Sequence, residues 1–364
     1  MKTIHLIAAA RPNFMKVAPI YRALKETGEF TVKLIHTGQH YDKNMSESFL
    51  IDLGLGDPDY HLQVGSGTHA EQTGKTMMAY EKVTKEERPD LTVVVGDVNA
   101  TVACAMVCAK EHIPVAHLEA GLRSRDRKMP EEINRIITDQ ICDLLWTPSP
   151  DGDENLVAEG IPGERIERVG NIMIDSLVMK WDQIKENPIL KELGLNEKEY
   201  IPVTLHRPSN VDDPEKLAGI VNTLCKIASE FKPVVFPVHP RTAKVLKENG
   251  LHQELEGNDS VTLLEPLAYN SFLKLVSEAA VLITDSGGIQ EETTYLRVPC
   301  LTLRDNTERP VTITEGTNQL VSPGELYEKA KEALSSDPSS RNCPELWDGK
   351  TAERVVRSIQ KFLV

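Results

Sequence analysis

The chain has 364 residues, of which 40% are hydrophobic and 26% charged, with a formal net charge of -14. A single core rarely grows past roughly 250–300 residues, so the length predicts two globular domains. The acidic balance argues against a general nucleic-acid binder, which needs a basic stripe, and leaves room for a local basic pocket around a small anion.

In chain order, short apolar runs alternate with helical patterns. Residues 4–9 read as a buried strand and 15–25 as a helix. Residues 31–37 are a second strand, 71–83 a helix, 91–95 a third strand, 101–110 a helix and 115–118 a fourth strand. A helix over 131–140 and a short strand over 144–147 follow. Another strand ends near 168–171, before a helix over 174–184. A polar stretch, 185–199, precedes a restart of the pattern. Strands are predicted at 200–205, 233–238, 261–264, 281–284 and 299–303. The helices are predicted at 214–230, 243–248, 269–277 and after Gly288. The last pattern, 352–363, is a helix. This alternation predicts parallel sheets covered on both faces. The expected domains are 1–172, joined by the helix 352–364, and 173–351.

No apolar run approaches the ~18 residues of a membrane span, and MKTIHLIAAARP is interrupted too soon for a signal peptide. Cys104, Cys108, Cys142, Cys225, Cys300 and Cys343 show no CxxC pair or metal spacing, and read as free thiols in a reducing compartment. A cytoplasmic protein is therefore expected, without metal or cofactor.

Ligands of open parallel sheets bind beyond the carboxyl ends of the strands, and the polar motifs lie there. In AARPNFMK (9–16), Arg11 and Lys16 oppose the helix dipole unless an anion sits between them; otherwise they are solvated cations on a proline-opened helix. In GDVNAT (96–101), Gly96 permits close approach and Asp97 stands at the strand mouth, although Asp97 or Asn99 could be a simple N-cap. In HLEAGLRSRDRKMPEEINR (117–135), Glu119 ends a strand in an apolar setting, which suits proton transfer. Glu131 and Arg135 are assigned to function by their cleft position, whereas Glu132 and Asn134 read as helix-end signals. TLHRPSN (204–210) places His206 at a strand end. ITDSGGIQEE (283–292) has Ser286, Gly287 and Gly288 where helix N–H groups can meet an anion. RDNTERP (304–310) supplies Arg304 and Arg309, for phosphate or for the nearby acids. His239 and Arg241 in PVHPRT carry no assignment. There is no Walker A motif, no GxGxxG after the first strand and no serine nucleophile elbow. Diphosphate recognition with general acid–base chemistry is the reading.

Together these motifs, in order from RPNFMK near residue 11 to TERP at 307–310, resemble the non-hydrolysing UDP-N-acetylglucosamine 2-epimerase family. The resemblance implies an α/β, GT-B-like fold of two Rossmann-like domains with the active site in the cleft between them, and a final helix that crosses back to the first domain. It implies reversible C2 epimerisation of UDP-GlcNAc to UDP-ManNAc through a 2-acetamidoglucal and UDP, for surface polysaccharide, in a homodimer that uses no cofactor. Asp97, Glu119, Glu131 and His206 then match the acid–base groups. Arg11, Lys16, Arg135, Ser286, Gly287, Gly288, Glu292 and Arg309 match the UDP contacts, with Glu292 on the ribose. Gln39 and His40 match an allosteric pair.

The sequence departs from well-known members in having Lys128-Met129 instead of Trp before PEE, HRPSN instead of HRRE, and GSGTHAEQTG at 65–74. These variants look more like relatives acting on UDP-2,3-diacetamido-2,3-dideoxyglucuronate. Two competing activities are hydrolytic release of free ManNAc and sugar transfer by a GT-B glycosyltransferase. Transfer has no need of three such carboxylates.

Overall fold

The computed structural model describes residues 1–38, 50, 53–336 and 342–364. Their contacts divide them into two compact units, Met1–Met179 with Glu345–Val364, and Lys180–Pro344. Gln39 and His40 lie outside the described residues.

The first unit is built from β1 (Lys2–Ala8), α1 (Arg11–Thr27), β2 (Phe30–His36), β3 (Tyr60–His61), α2 (His69–Glu86), β4 (Leu91–Val95) and α3 (Asn99–Glu111). It continues through β5 (Val115–Leu118), α4 (Pro130–Ile141), β6 (Leu144–Thr147), α5 (Pro150–Ala158), β7 (Ile166–Arg168) and the start of α6 (Ile172–Lys185). All strands run parallel in the order β3-β2-β1-β4-β5-β6-β7. β4 and β5 are buried at every position, as expected for strands covered on both faces. α2 begins at His69, earlier than its apolar pattern, because Thr68 and Glu71 form a reciprocal capping box.

The second unit runs through α7 (Ile189–Glu192), β8 (Ile201–Thr204), α8 (Pro208–Val211), α9 (Pro214–Glu230), β9 (Val234–Pro237), α10 (Pro240–Glu248) and α11 (Leu251–Glu256). It is completed by β10 (Val261–Leu264), α12 (Tyr269–Ser277), β11 (Leu282–Thr284), α13 (Ile289–Leu296), β12 (Cys300–Thr302), α14 (Val311–Thr314), β13 (Asn318–Leu320) and α15 (Leu326–Ser335). Its parallel sheet has the order β10-β9-β8-β11-β12-β13. Each sheet thus follows the doubly wound order, with a switch point beside its first strand: β1/β4 in one unit, β8/β11 in the other.

The last helix, α16 (Thr351–Leu363), belongs to the first unit. Ala352, Val355, Val356 and Ile359 form its buried face, while Glu353 and Arg357 are exposed. Asp175 caps it, accepting the Thr351 and Ala352 amides at 3.1 and 2.7 Å. The buried Trp146 donates to Ser358 Oγ at 2.9 Å.

These contacts move the division to 179/180 and 344/345, from the 172/173 and 351/352 expected from sequence. The first half of α6 is tied to the first unit a second time. Pro19, inside α1, has no N–H for the carbonyl of Met15, and Ser176 Oγ donates to that carbonyl instead. Among the described residues no helix is long and apolar enough to cross a membrane.

Candidate active site

In the first unit the β1/β4 switch point gathers charge. Gly96 follows β4 with a φ of 68°, in the left-handed region glycine favours. A Cβ placed there would lie 3.5 Å from Asn13 Nδ2, Glu119 Oε2 and Lys16 Nζ. Asn13 bridges the turn after β1 to β4, accepting the Ala10 amide and donating to the Val95 carbonyl, both at 3.1 Å. Lys16 Nζ is paired with Glu119 Oε2. Glu119 is 6% exposed, has a φ of 71°, and leaves its Oε1 buried without a hydrogen-bond partner. A non-glycine residue held in that conformation carries backbone strain, which concentrates at functional sites.

Asp97 does not cap α3; the N-cap is Val98 and no side chain caps there. Its Oδ2 instead accepts from Arg135 Nε at 3.1 Å and Nη2 at 2.6 Å. Arg135 is oriented from its other side by Glu132, at 2.7 Å. Glu132 also accepts the amides of Ser124 and Arg125, both at 2.9 Å. Burial works against its charge, but these amides and Arg135 outweigh it and hold the carboxyl below its ordinary range. Beneath the turn, the buried His117 bridges Asp139 Oδ1 at 2.6 Å and the Gly96 carbonyl at 2.8 Å. Glu131, in the first turn of α4, is half-buried, and its side chain makes no hydrogen bond among the described residues.

In the second unit the β8/β11 switch point holds an imidazole–carboxylate pair. His206 Nδ1 lies 2.9 Å from Oδ1 of the fully buried Asp285. Asp285 also accepts the amides of His206 at 3.0 Å and Arg207 at 2.9 Å, and Asn210 Nδ2 at 3.2 Å. Burial again opposes the charge, and His206 with these donors keeps the Asp285 carboxyl below its ordinary range. A carboxylate on Nδ1 selects the tautomer that leaves Nε2 free to accept a proton.

Next along the chain, Ser286 and Gly287 lead into α13. Gly288, its N-cap, has ordinary helical dihedrals of -65° and -42°. Neither glycine is therefore required by a left-handed backbone. A Cβ on Gly287 would lie 3.3 Å from Arg304 Nη1 and 3.7 Å from both Arg207 Nη2 and Arg309 Nη1; one on Gly288 would meet open space. Arg304 is paired with Glu308, and Arg309 with Glu291. Against the effect of burial, Arg304 and Arg309 hold the Glu308 carboxyl down to about 2. Glu292 is buried and accepts from the Tyr269 hydroxyl at 2.7 Å. Burial, only partly offset by that bond, raises its pKa to about 7.

A family model for UDP-N-acetylglucosamine 2-epimerase matches residues 22–360. The chain is 43% identical, over 97% of its length and 98% of the relative's, to the UDP-N-acetylglucosamine 2-epimerase of Methanocaldococcus jannaschii. It is 40% identical, over 92% of each chain, to the UDP-2,3-diacetamido-2,3-dideoxy-D-glucuronate 2-epimerase of Pseudomonas aeruginosa. The crystal structure of the M. jannaschii UDP-GlcNAc 2-epimerase with UDP-GlcNAc and UDP is similar at a TM-score of 0.87 and 42% identity, covering 99% of both chains. The chain belongs to the UDP-N-acetylglucosamine 2-epimerase family.

Within this epimerase fold, the sequence-predicted residues fall into two clusters, one in each unit. Asp97, Glu119, Lys16 and Arg135 are brought together at the first switch point. Arg11 opens α1; its side chain lies outside what the structure describes. His206, Ser286, Gly287, Gly288 and Arg309 gather at the second, with Glu292 one turn along α13. Sequence reasoning missed Asp285, Arg207, Asn13, Glu132 and Tyr269. Asp285 stood in the motif singled out for its glycines, and its partner His206 is 79 residues away. Only the adjacency of β8 and β11 makes them neighbours.

Proposed function

We propose that the chain interconverts UDP-GlcNAc and UDP-ManNAc, supplying precursors of surface polysaccharide. In the forward step the C2–H bond and the bond from C1 to the diphosphate oxygen break. The C1=C2 bond of a 2-acetamidoglucal forms, UDP departs with the electron pair of the C1–O bond, and an enzyme base takes the proton and exchanges it with solvent. An acid on the other face, itself protonated from solvent, delivers a proton to C2 as UDP adds back to C1, so atoms and charge balance without an external oxidant.

The observation that carries this reading is Glu119, with one oxygen on Lys16 and the other buried without a partner. Such a carboxylate is held and aimed, yet has one oxygen free for a proton. Asp97, Glu131 and His206 share the proton traffic, and the Asp285 carboxylate fixes the imidazole for that work. Arg11, Lys16, Arg135, Ser286, Gly287, Gly288 and Arg309 contact UDP, with Glu292 on the ribose. The C2 proton is not acidic, so elimination is drawn by the departing diphosphate. Cations and helix N–H groups stabilise the charge that develops there. Retention of the glycal requires that water be kept from the site. Gln39 and His40 are proposed as an allosteric pair, and a cytoplasmic homodimer as the working state.

A second reading, the same chemistry on UDP-2,3-diacetamido-2,3-dideoxyglucuronate, is favoured by the 40% identity to the P. aeruginosa enzyme. Proton NMR of each sugar nucleotide incubated with the protein separates them. UDP-ManNAc from UDP-GlcNAc is expected. Turnover of the diacetamido sugar alone supports the second reading, and free ManNAc would contradict both.

A further inference from the structure

In the second unit the arginines that motif reading offers to an anion are Arg304 and Arg309, and both are already paired with carboxylates. Arg304 donates through Nη1 and Nη2 to Glu308 at 3.0 and 2.8 Å. Arg309 Nε lies 2.6 Å from Glu291 Oε1. Arg207 differs. Its Nε donates to the main-chain carbonyl of Asp285 at 2.8 Å, and it joins no ion pair among the described residues. The Asp285 carboxylate beside it is occupied by His206, by two amides and by Asn210.

The local sequence sets this placement. Pro208 opens α8 and obliges the residue before it to be extended; Arg207 has dihedrals of -74° and 137°. Its side chain is thereby anchored at Nε, with Nη2 among the guanidinium nitrogens over Gly287. Burial, and then the like charge of Arg304, push the Arg207 guanidinium below the usual arginine range. An anion at this place would relieve both effects.

We propose that Arg207 is the principal phosphate-binding arginine of the second unit, beside Arg304 and Arg309, whose guanidinium groups are held by Glu308 and Glu291. The proposal rests on the nucleotide reading above and assigns Arg207 a role in holding the leaving diphosphate. Loss of one charge-assisted contact to an anion corresponds to roughly a 10–100-fold weakening.

The test is titration of UDP into the full-length protein and into the Arg207→Gln and Arg207→Lys variants, at low and high salt, with thermal melting as a check on folding. For Arg207→Gln, UDP affinity is expected to fall by roughly 10–100-fold, with a weaker salt dependence. For Arg207→Lys a loss of about tenfold is expected, because lysine cannot hold the Asp285 carbonyl and the phosphate together. UDP affinity within about threefold of the parent in either folded variant overturns the assignment. A parent that does not bind UDP overturns the proposed function as well, so the two failures are distinct.

Discussion

Glu292 is a carboxyl group whose charge at neutral pH is set by its surroundings. Burial raises its pKa to about 7, the Tyr269 hydroxyl lowers it, and the neighbouring Glu291 raises it. A carboxylate accepts both ribose hydroxyls, whereas the protonated acid loses part of that capacity. The sign follows: binding that needs the ionised form strengthens as pH rises through 7. UDP-GlcNAc, whose diphosphate does not titrate there, is expected to bind up to about tenfold more tightly at pH 8 than at pH 6. Glu292→Gln should bind more weakly and without that dependence. A pH-independent dissociation constant in the parent protein would remove Glu292 from the ribose. At this scale, positions were legible in the sequence and partners were not. Glu119 was placed at a strand end by the apolar run before it. That Lys16 neutralises one of its oxygens, and that its backbone is left-handed, depends on a turn packed across 103 residues of chain.

Among the elements, α1 shows how one residue ties helices together. Pro19 leaves the Met15 carbonyl without its helical donor, and Ser176 of α6 supplies one. Ser176→Ala is expected to leave that buried carbonyl unsatisfied and to cost about 1–3 kcal/mol. Urea denaturation measures this as a lower midpoint at an unchanged slope; an unchanged midpoint would mean that the bond contributes nothing. The elements best read from sequence were those with a dense apolar run between clear breakers: β4, β5, α9 and α12 have the predicted bounds. β3, with two residues, and β13, with the sequence Asn-Gln-Leu, offered no such signal. Asn318 of β13 is nevertheless structural, bonding Thr302 at 2.6 Å and Gln290 at 3.1 Å. α5 and α15 were also missed: α5 opens on Pro-Asp-Gly-Asp and buries only Gly152 and Leu156, and α15 only Leu326, Ala330 and Ala333.

For the whole molecule, the alternation of strands and helices foretold two parallel sheets, and each sheet has the doubly wound order with its charged cluster at the same switch point. The division between units was less legible, because it depends on what α6 and α16 pack against rather than on a break in composition. Each cluster alone suits a partial task. The first holds a carboxylate with one oxygen on a lysine and the other without a partner, the second a group of arginines at a helix entrance and an imidazole fixed by a carboxylate. The proposed reaction, elimination across C1 and C2 of a UDP-sugar, needs both tasks, and it can be read at a single atom. UDP-GlcNAc incubated with the protein in heavy water should yield UDP-ManNAc carrying deuterium at C2, and returning UDP-GlcNAc should acquire it too. UDP-ManNAc formed with its original C2 proton, or no incorporation at C2 of any UDP-sugar, would contradict this chemistry.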